Sequence, residues 1–188
     1  VDIAVEVIRP GRTIELVEAV VTVAGRSVIL TRAWYLVAGD TTAETGTPAT
    51  VLPAPEDCPP RDLSTIWGGN FMEQLEAREA IPVTTGRGAT WLASPTSLIH
   101  GEEQIPVAQY CALIDTANGL AVRQNPEKWA FPNVDLTVHF FRQPAGQWVG
   151  LDTSVDWGAS GMGITSSVLH DSNGPVGRAL QSITLRKL

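Results

Sequence analysis

Apolar and polar positions alternate from the first residue of the chain. Val1, Ile3, Val5 and Val7 are separated by Asp2, Ala4 and Glu6, the period of two that marks a half-buried strand. Arg9-Pro10-Gly11-Arg12 breaks the pattern as a turn. Thr13–Val23 then resumes it, with Ile14, Leu16 and Val20 on one face. Ala24-Gly25-Arg26 is a hairpin signal, since glycine supplies the positive φ such loops require. Ser27–Val37 is a third β-rich run. Connections this short exclude parallel crossovers, so the three runs predict an antiparallel meander.

From Gly39 to Pro60 threonine and proline replace the alternation, and a linker or extended surface segment is expected. Cys58, between Asp57 and Pro59, reads as an incidental thiol in a loop. Phe71–Ile81 fits helix by propensity and strand by spacing. Gly86–Ala93 is a short strand containing Trp91. Pro106–Val122 is the best helix in the chain: Val107, Tyr110, Cys111, Ile114, Ala117 and Ala121 recur at three- and four-residue steps, and Pro106 suits a first turn. Four strand-like runs close the sequence, Asn133–Phe141, Trp148–Trp157, Met162–His170 and Val176–Arg186. The second half is therefore β-β-α followed by antiparallel strands, one long helix wrapped by a sheet.

The start of the chain also overlays its end at an offset of 148 positions. Val1 falls on Val149, Val7 on Val155, Leu16 on Ile164, Val20 on Val168 and Val28 on Val176, and the Gly25 turn falls on Asn173-Gly174. Few letters are identical, but strand phase and turn position agree across three strands, as in two copies of one module. The second copy has a strand, a helix and another strand upstream of Val149. The first has nothing upstream of Val1, so roughly 60 to 80 residues of its front are expected to be missing.

Composition narrows the function. The 188 residues are 44% hydrophobic and 18% charged, which excludes disorder and allows a real core. Thirteen Lys and Arg against 20 Asp and Glu give a net charge of −7, the wrong sign for a nucleic-acid partner or an anionic membrane surface. Two cysteines make neither a disulfide scaffold nor a metal site, and no apolar run reaches the ~18 residues of a membrane span. No serine-nucleophile elbow, Walker loop or dinucleotide glycine pattern is present.

One polar residue stands out on the predicted helix. Asp115 follows the apolar run Tyr110-Cys111-Ala112-Leu113-Ile114, where a carboxylate is costly unless hydrogen-bonded or exposed. It is either a chemical group, a residue on the solvent side, or a cap near Asn118-Gly119. Six tryptophans, half of all aromatics, suit an acyl pocket or ordinary packing equally. His100, His139 and His170 read as structural or surface residues.

The strings Ala112–Gly119 (ALIDTANG), Asn133–His139 (NVDLTVH), Trp148–Asp152 (WVGLD) and Ser172–Gln181 (SNGPVGRALQ) resemble the acyl-CoA thioesterase II-like (TesB-like) family, as does the opening Arg9–Ala19. The resemblance implies an α+β double hotdog: two tandem modules, each a long helix cradled by a curved antiparallel sheet. Residues 1–38 would be the last three strands of the first module, 39–70 the Pro/Thr-rich linker and 71–188 the second module. It further implies hydrolysis of an acyl-CoA thioester by a water held by three side chains. By motif position these are Asp115, Asn133, where the best-known members carry Thr, and Gln181. At the repeat offset Gln181 corresponds to Ala33, so one competent site per pair of modules is implied. Thr137 and Arg178 are candidates for substrate contacts. The reading calls for no cofactor and no metal, a cytoplasmic homodimer, acyl-CoA as the small-molecule partner, no nucleic acid and no membrane span. Two alternatives on the same fold are a non-catalytic acyl-CoA-binding protein and an enoyl-CoA hydratase-type enzyme. The second needs a histidine that the sequence does not place near Asp115.

Overall fold

A computed structural model describes residues 1–188, which form two compact units, Val1–Gly46 and Thr47–Leu188. The first unit is the expected meander. Strands β1 (Asp2–Arg9), β2 (Ile14–Val23) and β3 (Arg26–Leu36) form an antiparallel sheet in the order β1-β2-β3. Ala24 and Gly25 both have positive φ, 48° and 76°, the backbone of a two-residue hairpin turn whose twist matches its strands. Glu18 and Arg32 stand directly opposite and pair at 2.7 Å across β2 and β3. Ile3, Val5, Val7, Ile29 and Tyr35 are exposed.

The second unit contains a short helix α1 (Asn70–Glu73), then strands β4 (Glu76–Thr84) and β5 (Arg87–Ala93), so the ambiguous stretch after Phe71 is helix first and strand second. Helices α2 (Pro106–Ile114) and α3 (Ala117–Leu120) follow. Next come β6 (Trp129–Ala130), β7 (Thr137–Phe140), β8 (Val149–Trp157), β9 (Met162–Asp171), β10 (Gly174–Thr184) and β11 (Arg186–Lys187). Six strands make one antiparallel sheet in the order β4-β5-β8-β9-β10-β7, and β11 pairs with β6. Burial alternates along β8, β9 and β10, so one face of the sheet is turned inward. There Leu92, Val149, Leu151, Leu169 and Ala179 pack with Tyr110, Leu113, Ile114 and Ala117 of the helical segment.

The Pro-rich stretch closes the opposite face. From Thr47 onward it belongs to the second unit. Leu52 and Cys58 are buried with Ala89 and Trp91, and Trp91 Nε1 donates to the Pro53 carbonyl at 2.9 Å. Cys58 is therefore a core thiol rather than an incidental loop thiol. Its Sγ lies 3.2 Å from the Ala54 carbonyl oxygen, and burial pushes its pKa upward.

Two sequence expectations are corrected. The helix is not continuous through Val122. It ends at Ile114, and Asp115 occupies its C-terminal cap instead of its interior. Side chains take the carbonyls that would extend it: Thr116 Oγ1 donates to Leu113 O (2.7 Å), Trp67 Nε1 to Gly119 O (2.8 Å) and Arg61 to Leu120 O (2.7 Å). Asn118 and Gly119 are also weak helix formers. The run from Asn133 is likewise strand only from Thr137. Asp135 Oδ1 accepts from the Ser182 N–H at 2.6 Å, so a side chain replaces the ladder there, and Asn133 keeps only an isolated bridge to Ile183.

The repeat is realised in the backbone. Moved by 148 positions, β2 coincides with β9 and β3 with β10, end for end, while β1 falls within β8. Register agrees as well: Val17↔Ala33 in the first unit falls on Thr165↔Gln181 in the second.

Candidate active site

Gln181 lies on the inward face of β10 and is 1% exposed. The break after Ile114 sets Asp115 at the helix end, and the irregular loop before β7 releases Asn133 from the ladder. These three residues, distant in sequence, converge. Asn133 Nδ2 donates to Asp115 Oδ1 at 2.8 Å, and Gln181 Nε2 donates to the same oxygen at 3.0 Å and to the Asp115 carbonyl at 3.2 Å. Asp115 is exposed, and its Oδ2 accepts no hydrogen bond from the protein. The carboxylate is thus anchored through one oxygen and open at the other. Asn133 is itself braced, its amide also donating to Asp135 O at 3.2 Å.

A carboxylate at a helix C-terminus faces the negative end of the helix dipole, an arrangement unfavourable by roughly 0.3–1 kcal/mol at an exposed site. Two amide donors on one carboxylate oxygen compensate. A cleft of about 460 Å³ opens next to the triad, lined by Trp67, Met72, Trp129 and Phe131, with Thr116 and Asn133 at the polar side. Trp67 meets Phe131 edge-on at 5.8 Å and Trp157 lies 5.4 Å from Trp129, so the aromatic walls are mutually braced. Its volume is within the range of small-molecule sites.

Thr137 and Arg178 are not part of this cluster. Thr137 pairs with Leu180, and Arg178 and Leu180 alternate with the inward-facing Ala179 and Gln181. Both therefore point from the face of the sheet opposite Asp115, because neighbouring positions on a strand face opposite ways. Arg178 instead borders a shallow surface cavity with Arg87, Asp152 and Ser166. His139 and His170 share that opposite face, and no group of three or more His, Cys, Asp or Glu residues could hold a metal ion.

The order of strands, the helix end and the triad set the frame for comparison. Residues 55–185 match the family model described as the acyl-CoA thioesterase C-terminal domain. The chain belongs to this family. Solved structures agree with the architecture at low identity. A protein of unknown function with the hotdog fold from Alicyclobacillus acidocaldarius superposes with a TM-score of 0.76 at 15% identity, over 98% of this chain and 72% of that one. A protein assigned as a thioesterase from Novosphingobium aromaticivorans DSM 12444 gives 0.73 at 24%, over 98% and 72%. Acyl-CoA thioesterase II of Mycobacterium marinum gives 0.67 at 18%, over 99% and 73%. No curated protein matches the chain. At these identities the likenesses establish the fold, an α+β hotdog, and the family match establishes a TesB-like thioesterase lineage.

Sequence reading did not single out Trp67, Arg61 or Thr165. Trp67 and Arg61 act on carbonyls 52 and 59 positions away, and no local pattern announces such bonds. Thr165 had a signal: at the repeat offset its position corresponds to an apolar Val17.

Proposed function

We propose that this chain hydrolyses an acyl-CoA thioester to a free acid and coenzyme A, with a water activated by Asp115. The observation that carries the reading is the convergence of Asp115, Asn133 and Gln181 on one carboxylate oxygen beside an apolar cleft. Asp115 Oδ2 accepts the proton of the attacking water, a general-base role worth ~10²- to 10⁴-fold. Asn133 and Gln181 hold the carboxylate so that Oδ2 keeps one direction, and the aromatic cleft receives the acyl group. Water attacks the carbonyl carbon, the tetrahedral intermediate collapses, the C–S bond breaks, and the thiolate of coenzyme A leaves and takes up a proton. Neither Thr137 nor Arg178 has a part in this reading, since both lie on the other face of the sheet. A hydratase reading finds no support in His139 or His170, which also lie there.

No helix is long and apolar enough to cross a membrane, and none is required for a coenzyme A ester. The test is thiol release by the purified chain across acetyl-, hexanoyl- and palmitoyl-CoA. At least one ester is expected to be hydrolysed, and Asp115→Ala is expected to lose at least ~10²-fold in kcat. Tight binding of all three esters without thiol release would instead support the non-catalytic acyl-CoA-binding reading.

A further inference from the structure

Directly across the sheet from Gln181 stands Thr165, paired with it in the β9–β10 register and also 1% exposed. Each carries a buried oxygen without a hydrogen-bond partner, Gln181 Oε1 and Thr165 Oγ1. Gln181 Nε2 is committed to Asp115, so its Oε1 is the end turned away from the carboxylate. Side chains directly opposite in an antiparallel pair sit roughly 4.5–5.5 Å apart at Cβ, and because the two oxygens are not bonded to each other, one shared water is the link this span allows. A threonine hydroxyl can donate and an amide oxygen can only accept, so a single bridging water satisfies both. The geometry points to Thr165 as a positioning residue that anchors the Oε1 end of Gln181 and thereby keeps Nε2 on Asp115.

The repeat supplies an internal control. At the corresponding pair in the first unit stand Val17 and Ala33, in the same register and without either polar group. Valine is thus compatible with this strand position in the half-buried setting of the first unit, and a buried hydroxyl left without a partner is a cost to the fold. Where the glutamine is absent, the hydroxyl is absent too. Fold stability alone does not explain Thr165.

This inference rests on the proposed role of Asp115, and its test separates the two. In this chain, Thr165→Val is expected to stay folded, with a urea midpoint modestly below that of wild type, since it leaves the buried Gln181 Oε1 without its anchor. Its kcat on hexanoyl-CoA should fall about ten- to a hundredfold with KM unchanged, and Thr165→Ser should restore kcat to within about twofold. Independently of turnover, the Gln181 side-chain amide signals in ¹⁵N-labelled protein should move in Thr165→Val and hold in Thr165→Ser. Should the valine variant not fold, Thr165→Ala carries the same readouts. Unchanged kcat together with unmoved Gln181 amide signals would overturn the inference. So would a serine variant as impaired as the valine one, or a kcat loss that follows lost stability. If Asp115→Ala retains full turnover, the functional reading fails, while the amide signals still decide the Thr165–Gln181 contact.

Discussion

Gln181 Nε2 reaches both the Oδ1 and the main-chain carbonyl of Asp115, at 3.0 and 3.2 Å, and so ties the last strand of the sheet to the end of α2 across 66 positions of sequence. The contact binds the carboxylate and the backbone that carries it. Rotation of the side chain would break the first bond and displacement of the backbone the second, and the direction of Oδ2 depends on both.

The first prediction concerns the charge of this contact. Gln181→Glu puts a second carboxyl against Asp115, and a like charge disfavours ionisation. The acidic limb of the pH–rate profile should move to higher pH, with kcat at neutral pH reduced at least tenfold. Gln181→Met should lower kcat without moving that limb. Initial rates between pH 5 and 9 for both variants check this.

Asp115 itself should matter to rate and not to stability. It is exposed at a helix C-terminus, where the dipole disfavours a carboxylate, while its two amide hydrogen bonds act in the opposite sense. The two effects offset, so urea unfolding of Asp115→Ala should lie within about 1.5 kcal/mol of wild type. A large stability loss would mean that the residue is structural.

The β9–β10 turn holds the second unit's best-defined ion pair. Arg142 grips Asp171 with two bonds of 2.6 Å, and the Ala145 and Asn173 amides donate to the same carboxylate at 2.8 Å. Burial raises the carboxyl pKa, but these donors outweigh it and the net shift is downward. The linked stability is present above the unfolded carboxyl value near 3.8 and is lost as pH falls through the lower folded value. Asp171→Ala should cost about 2–4 kcal/mol at neutral pH, since it strands a partly buried guanidinium. It should also flatten the acid limb of stability, as followed by urea midpoints between pH 2 and 5.

His170 acts at milder acidity. It is fully buried, its ring meets Trp91 edge-on at 6.3 Å, and neither nitrogen has a partner. Burial lowers its pKa below 6.5, with Asp152 and Asp171 opposing the shift only in part. The unfolded chain then binds the proton more readily, so stability falls as pH drops below about 6.5 and does not depend on this group above it. His170→Leu should remove that slope between pH 5 and 6.5 and leave stability at pH 8 within about 1.5 kcal/mol.

The cleft sets the expected acyl preference. Ala130→Leu adds bulk to its wall. It should lower kcat/KM for palmitoyl-CoA relative to acetyl-CoA by about tenfold, the scale of a few lost apolar contacts. Equal effects on both esters would place the acyl chain elsewhere.

Much of the architecture was legible because it is written locally. Period-two alternation and hairpin signals marked the three strands of the first unit, and strand-like runs between turns marked β8, β9 and β10 to within about two residues, with the offset of 148 positions matching their phase and turns. Asp115, at the end of α2, and Gln181, on β10, were picked out by the resemblance of their motif strings to the family. The helix end was harder, since apolar spacing continues past Ile114 while the bonds that stop the helix come from Arg61 and Trp67. That Thr137 and Arg178 stand on the other face of the sheet from Asp115 was not legible either, since residue type and nearness in sequence do not say which face a side chain takes once register is set.

The sequence by itself determined strand phase, turn positions and the doubled module, because backbone sterics and the periodic burial of apolar groups act between near neighbours. Only tertiary structure decided that Asp115 caps a broken helix, that an amide from β10 and one from the loop before β7 meet on one of its oxygens, and that a proline-rich stretch seals the opposite face over Trp91. Those outcomes depend on hydrogen bonds and packing between residues 18 to 66 positions apart. Such contacts exist only after the sheet has brought them together.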